Sequence, residues 1–142
     1  MRYLFMTVTA LSLLAVSAEA SRLERVAPVT HATTAKECGE CHMAFQPALL
    51  PAGAWQAIMD TLADHFGDDA SVPAAAAATI RAYLTANAGQ IGSPAILRIT
   101  EQSWFRKEHR FPPELWQRPE IRTPSNCLAC HARAEQGRYD DD

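Results

Sequence analysis

The chain has 142 residues, one domain's worth after any leader is removed, and carries a formal net charge of −3. That balance excludes a basic nucleic-acid-binding surface as its main business and favours no polyanionic partner. Four cysteines are present, and their arrangement carries most of the information in the sequence.

The N-terminus reads Met1-Arg2-Tyr3, then an apolar run over residues 4–16, then Ser17-Ala18-Glu19-Ala20. A positive start, a short hydrophobic stretch and an Ala-x-Ala box predict a secretory signal covering residues 1–20 and cut after Ala20. The run is short for about 30 Å of hydrocarbon, so an uncleaved anchor is the poorer reading. No second segment approaches that length. Residues 21–142 are then a soluble exported domain, expected in the periplasm, and its net charge stays at −3 because Arg2 and Glu19 leave together.

Residues 21–34 show no periodicity and read as a lead-in loop. Thr34 is placed to cap a short helix that bears Cys38-Gly39-Glu40-Cys41-His42 and stops before Pro47. Pro47 to Pro51 reads as a rigid turn with Leu49 and Leu50 free to pack. Trp55, Ile58, Met59, Leu62, His65 and Phe66 then fall on one face of a 3.6-residue period, with Gly67 at the C-cap. Ser71 is expected to cap an alanine-rich helix through Ile80, Tyr83 and Leu84, and residues 90–94 form a loop. The alanines at 74–78 need no explanation beyond helix propensity and close packing. Thr100 is expected to cap a short helix with Trp104, Phe105 and His109, closed by Pro112-Pro113. Pro119 and Pro124 bracket irregular backbone. Pro124 opens a last helix bearing Cys127-Leu128-Ala129-Cys130-His131 and ended by Gly137. No strand pattern of useful length occurs. The expected fold is all-α: four or five short helices with long loops.

The two Cys-x-x-Cys-His pentapeptides use every cysteine in the chain. Paired thiols at that spacing add to the two vinyl groups of one porphyrin, and the next histidine can reach the iron from the same side. A zinc site would bring two such pairs within about 15–20 residues of each other, whereas Cys41 and Cys127 are separated by most of the domain. A thioredoxin-like pair would follow an apolar β-branched strand, which neither motif does. Disulfides leave both histidines unexplained. The reading is two covalently attached haem c groups, held by Cys38 and Cys41 and by Cys127 and Cys130, with His42 and His131 as iron ligands. In a globule with a radius of gyration of roughly 14 Å, two such groups are close together and supply much of the core.

The second axial positions fall to His31, His65 and His109. His65 lies in line with the apolar stripe of its helix, with Met59 on the same face as its competitor. Phe105 stands four residues before His109, which puts ring and imidazole on one side of a helix. Arg106, Lys107 and Arg110 around it are also compatible with an exposed polar face. His31 has no periodic context and reads as a surface residue. From His42 to His65 is 23 residues and from His109 to His131 is 22, enough in each case to fold back across one porphyrin. The expected pairs are therefore His42 with His65 and His131 with His109, a crossed arrangement being the alternative. Arg98, Arg106, Lys107, Arg110, Arg118 and Arg122 are interleaved with Glu101, Glu108, Glu114 and Glu120, a mixed-charge surface that can also neutralise propionates or meet a partner.

The run ECGECHMAFQPALLP over residues 37–51, Trp55, His65-Phe66-Gly67, Arg98 to Glu101, Glu108-His109-Arg110 and the stretch from Cys130 to Gly137 resemble the small soluble dihaem cytochrome c family of bacteria. The likeness extends from Glu37 to Tyr139. It implies a periplasmic electron carrier with two low-spin haems, each ligated by two histidines. It also implies redox partners such as a monohaem cytochrome c or a membrane cytochrome b, and no catalytic residues. The contrasting function is a small dihaem peroxidase- or reductase-like enzyme with one displaceable axial ligand, for which the chain offers no distal acid–base pair.

Overall fold

The computed structural model describes residues 23–140. The expected signal segment, residues 1–20, lies outside the described residues. Five α-helices fall wholly within them: α1 Ala32–Cys38, α2 Ala52–Asp60, α3 Ala74–Ala86, α4 Ser103–Glu108 and α5 Pro113–Trp116. Turns of 3₁₀ helix join or follow them, and the described β pairing is confined to isolated bridges. The all-α expectation holds.

The core sits between α2 and α3. Ala54, Trp55, Ile58 and Met59 come from one face of α2, and Ile80 and Leu84, four apart, from one face of α3. Leu50, from the proline-bounded turn, completes the cluster. Each of the larger side chains contributes about 1.5–3 kcal/mol by leaving water. The Trp55 indole N–H donates to the Pro47 carbonyl at 2.7 Å, so its one polar atom is satisfied inside the core. Leu50 O accepts from Gly89 N at 2.9 Å. A β-carbon at Gly89 would lie 2.1 Å from Ala48 O, so this join requires glycine.

Several helix ends differ from expectation, each for a local reason. His31, not Thr34, caps α1: its Nδ1 accepts from Thr34 N at 3.3 Å and from the Thr34 hydroxyl at 2.9 Å. Its ring stacks on Tyr83 of α3 at 5.1 Å, so His31 is a half-buried joint between α1 and α3 rather than a surface residue. Thr34 is buried inside the helix. Ser71 does not cap α3, whose N-cap is Pro73. Thr100 does not cap α4, whose N-cap is Gln102. The buried Gln102 side chain instead holds the preceding loop, accepting from Ser93 N at 2.8 Å and donating to Ser93 O and Ile96 O at 3.0 and 2.7 Å.

The two halves are joined through another buried amide. Gln46 Nε2 donates to Ala134 O at 2.7 Å, and its Oε1 accepts from the Tyr139 hydroxyl. Nearby, residues 24–26 run beside 137–139, with Val26 N donating to Gly137 O and Tyr139 N to Glu24 O.

Candidate haem sites

His65 is not on a helix. α2 stops at Asp60, where the Thr61 hydroxyl turns back to Ala57 O at 3.0 Å, and a 3₁₀ turn over Leu62–Asp64 follows. His65 then opens a tight turn closed by reciprocal backbone hydrogen bonds with Asp68. Phe66, at φ 60°, and Gly67, at φ 106°, both take the left-handed region. That conformation is costly for an aromatic residue and free for glycine. Two contacts hold it: Asp64 Oδ1 accepts from Gly67 N at 3.1 Å, and the Arg98 guanidinium lies 4.2 Å over the Phe66 ring. The turn delivers the His65 imidazole to His42, with ring centres 6.3 Å apart and planes within 23°. His42 is itself fixed by Nδ1, which donates to Met43 O at 2.7 Å, and by Phe45 at 4.9 Å.

The second cluster is built from shorter pieces. His109 is the C-cap of α4, and its Nδ1 donates to Phe105 O at 3.0 Å. The Phe105 ring lies on the imidazole at 3.9 Å and 7°, the placement expected from their spacing. Cys127-Leu128-Ala129 forms a 3₁₀ turn, not the helix expected there. It brings His131 to 6.2 Å from His109, with the planes crossed at 77°. Trp116 of α5 and Tyr139 add aromatic walls, 6.4 Å from His109 and 5.5 Å from His131. Neither α5 nor the two aromatics' role here was legible in the sequence. A cavity of about 560 Å³ opens among these residues, lined by Leu49, Ile91, Ile99, Trp104, Phe105, Phe111, Trp116, Ile121 and Tyr139 together with Cys127, Cys130, His109 and His131. Trp104 Nε1 is buried there with no hydrogen-bond partner.

Burial pushes the Cys127 thiol up to about 11, and it raises Cys38 with help from Glu37. Burial also lowers His65, aided by His42 and Arg98, and lowers His109. Both shifts favour the neutral imidazole, the form that can ligate a metal. All four cysteines are free of disulfides. The described residues contain no group of three or more Cys, His, Asp and Glu side chains arranged to hold a metal ion.

The dihaem cytochrome c family model matches residues 34–139, a span that takes in both pentapeptides and all four paired histidines. The chain belongs to the dihaem cytochrome c family. The crystal structure of DHC purified from Rhodobacter sphaeroides is 45% identical, with a TM-score of 0.71 over 78% of this chain and 97% of that one. A diheme cytochrome c from Rhodobacter sphaeroides is 40% identical, with a TM-score of 0.71 over 79% and 98%. The X-ray structure of the diheme cytochrome sb-DHC from Shewanella baltica OS155 is 40% identical, with a TM-score of 0.70 over 77% and 86%. A comparison with curated proteins found no match.

As a dihaem c-type cytochrome the protein carries two haem c groups, and the two clusters fit them. With a metal–imidazole bond of about 2.0–2.1 Å and a ring nitrogen roughly 1.1 Å from its ring centre, two imidazoles facing across one metal have centroids about 6.2–6.4 Å apart. The observed separations are 6.3 and 6.2 Å. In both His42 and His109, Nδ1 donates to a carbonyl, which leaves Nε2 with its lone pair free.

Proposed function

We propose that this dihaem cytochrome c is a periplasmic electron carrier in which each iron is closed on both faces by histidine. His42 and His65 hold the first iron, His131 and His109 the second. Cys38 and Cys41 form the thioether links of the first haem, Cys127 and Cys130 those of the second. The haems supply a one-electron iron couple. The observation that supports the reading is the matched separation of the two imidazole pairs; irons ligated in this way have no open position for oxygen, peroxide or nitrite.

The chain's own groups then have defined tasks. The carbonyls of Met43 and Phe105 fix the tautomer and orientation of one ligand in each pair. Apolar walls around the second cluster limit water, and the unpaired Trp104 N–H is a donor for a propionate. Two imidazole ligands keep the potentials low compared with a Met/His site. Cleavage after Ala20 would release residues 21–142 into the periplasm, where haem is attached. No helix among the described residues is long and apolar enough to cross a membrane, and the redox partner is taken to be another protein, a monohaem cytochrome c or a membrane cytochrome b.

Exposure of the reduced protein to carbon monoxide tests this reading. The expected result is an unchanged low-spin spectrum. Rapid carbon monoxide binding, or a high-spin component at rest, would overturn it and favour the enzyme reading with a displaceable ligand. His65→Met should leave both haems attached and raise one midpoint potential. If potentials and spectra both stay as they were, His65 is not a ligand.

A further inference from the structure

The two imidazole pairs share a separation but not an orientation, and the difference has an electronic consequence. At the first site the planes of His42 and His65 lie 23° apart; at the second those of His109 and His131 lie 77° apart. A low-spin ferric iron has one hole in its three dπ orbitals. An imidazole donates π density only perpendicular to its own plane, so it raises one member of the dxz/dyz pair. Two parallel rings act on the same orbital, split the pair and quench the orbital moment. Two crossed rings act on different orbitals and leave the pair nearly degenerate. Ligand orientation is thus one of the levers by which a protein tunes a haem that it otherwise ligates identically.

We propose that the two haems of this protein are electronically unlike by construction, near-parallel at the first site and crossed at the second, and that Phe105 is the positioning residue that holds the second pair crossed. This rests on the bis-histidine reading above. The buried Phe105 ring packs face to face on His109 at 3.9 Å and 7°, while its backbone carbonyl takes the His109 Nδ1 proton at 3.0 Å. One residue therefore sets both the plane and the tautomer of the imidazole. Phe105 is in turn held edge-on by Trp104 at 5.9 Å and 72°. The opposite ligand, His131, meets the edge of Tyr139 at 73°, so its plane is set by a different element. At the first site the two tasks fall to different residues: Phe45 stacks on His42 at 4.9 Å and 28°, the Met43 carbonyl takes the His42 Nδ1 proton, and Phe66 is tilted 57° from His65.

Low-temperature electron paramagnetic resonance of the fully oxidised holoprotein tests this. The expected wild-type spectrum holds two low-spin ferric signals of equal spin: one with three well-separated lines, from the near-parallel site, and one dominated by a single line at larger g, from the crossed site. Phe105→Leu, which keeps an apolar filler but removes the flat ring, should move the large-g line towards lower g by more than its width and leave the three-line signal in place. Phe105→Tyr should restore the wild-type spectrum. Two three-line signals in the wild type would overturn the proposal while leaving bis-histidine ligation intact, as would a large-g line that Phe105→Leu does not move, or a shift confined to the three-line signal. A high-spin wild-type signal would instead overturn the ligation reading beneath it. The wild-type measurement decides the main point even if Phe105→Leu is recovered poorly.

Discussion

The two halves of the molecule bring a pair of histidines together with very different amounts of protein. The first half brings its own core: a nine-residue helix and a thirteen-residue helix, locked by Leu50, Trp55, Ile58, Met59, Ile80 and Leu84. The second half has helices of six and four residues, too short to persist without tertiary support. Its buried apolar side chains are few, Phe105, Ile121 and Ala134, and the two larger ones line a cavity. A sequence that already has a packed core can treat a haem as a passenger, whereas one that lacks a core folds around it, as small metal-nucleated domains do.

The sharpest way to break that comparison is to remove each attachment pair in turn and follow amide hydrogen exchange. Cys127→Ser with Cys130→Ser should abolish protection across residues 98–139 and leave α2 and α3 protected. Cys38→Ser with Cys41→Ser should cost the first haem yet leave those helices measurably protected. Equal loss in both halves would show that the packed core does not stand by itself. Next in size is Trp55→Ala, which empties the centre of that core and strands the Pro47 carbonyl. About 3–5 kcal/mol should be lost in denaturant unfolding of the holoprotein, with both haem spectra unchanged.

Gln46→Leu probes the join between the halves. It removes the acceptor of Tyr139 and the donor to Ala134 while keeping similar volume, and about 1–3 kcal/mol should follow from the stranded buried groups. A neutral result would mean that the halves are tied elsewhere. The smallest effect is expected for His31→Ala, about 1 kcal/mol from the lost N-cap, with no change in the haem spectra. A new high-spin signal in that variant would make His31 a ligand and undo the pairing.

How far the sequence could be read follows the same division. Period-3.6 patterning located α2 and α3, because their faces bury against protein and leave a hydrophobic stripe. The Cys-x-x-Cys-His motifs were legible from chemistry alone, and the 23- and 22-residue intervals matched the imidazole pairs that the fold brings together. His65 reaches His42, though not by the expected route. It continues the helical stripe in sequence, yet the chain leaves the helix at Asp60 and reaches His42 through the Phe66-Gly67 turn. In the second half the apolar surface is turned towards a cavity, so no periodic stripe exists to find. That is why α5 and the 3₁₀ turn at Cys127–Ala129 escaped notice. Gln46, Gln102 and Tyr139 leave no pattern either, since each acts through side-chain hydrogen bonds that follow no helical period.

The account turns on two irons that are each closed by a pair of imidazoles. Near-infrared magnetic circular dichroism of the oxidised holoprotein reads this most directly, because the ligand-to-iron charge-transfer band falls at different energies for imidazole–imidazole, imidazole–thioether and high-spin haem. The predicted spectrum has two haems' worth of intensity in the imidazole–imidazole band and none elsewhere. Intensity at the thioether position, which would bring Met59 back as a ligand, or any high-spin feature would contradict it.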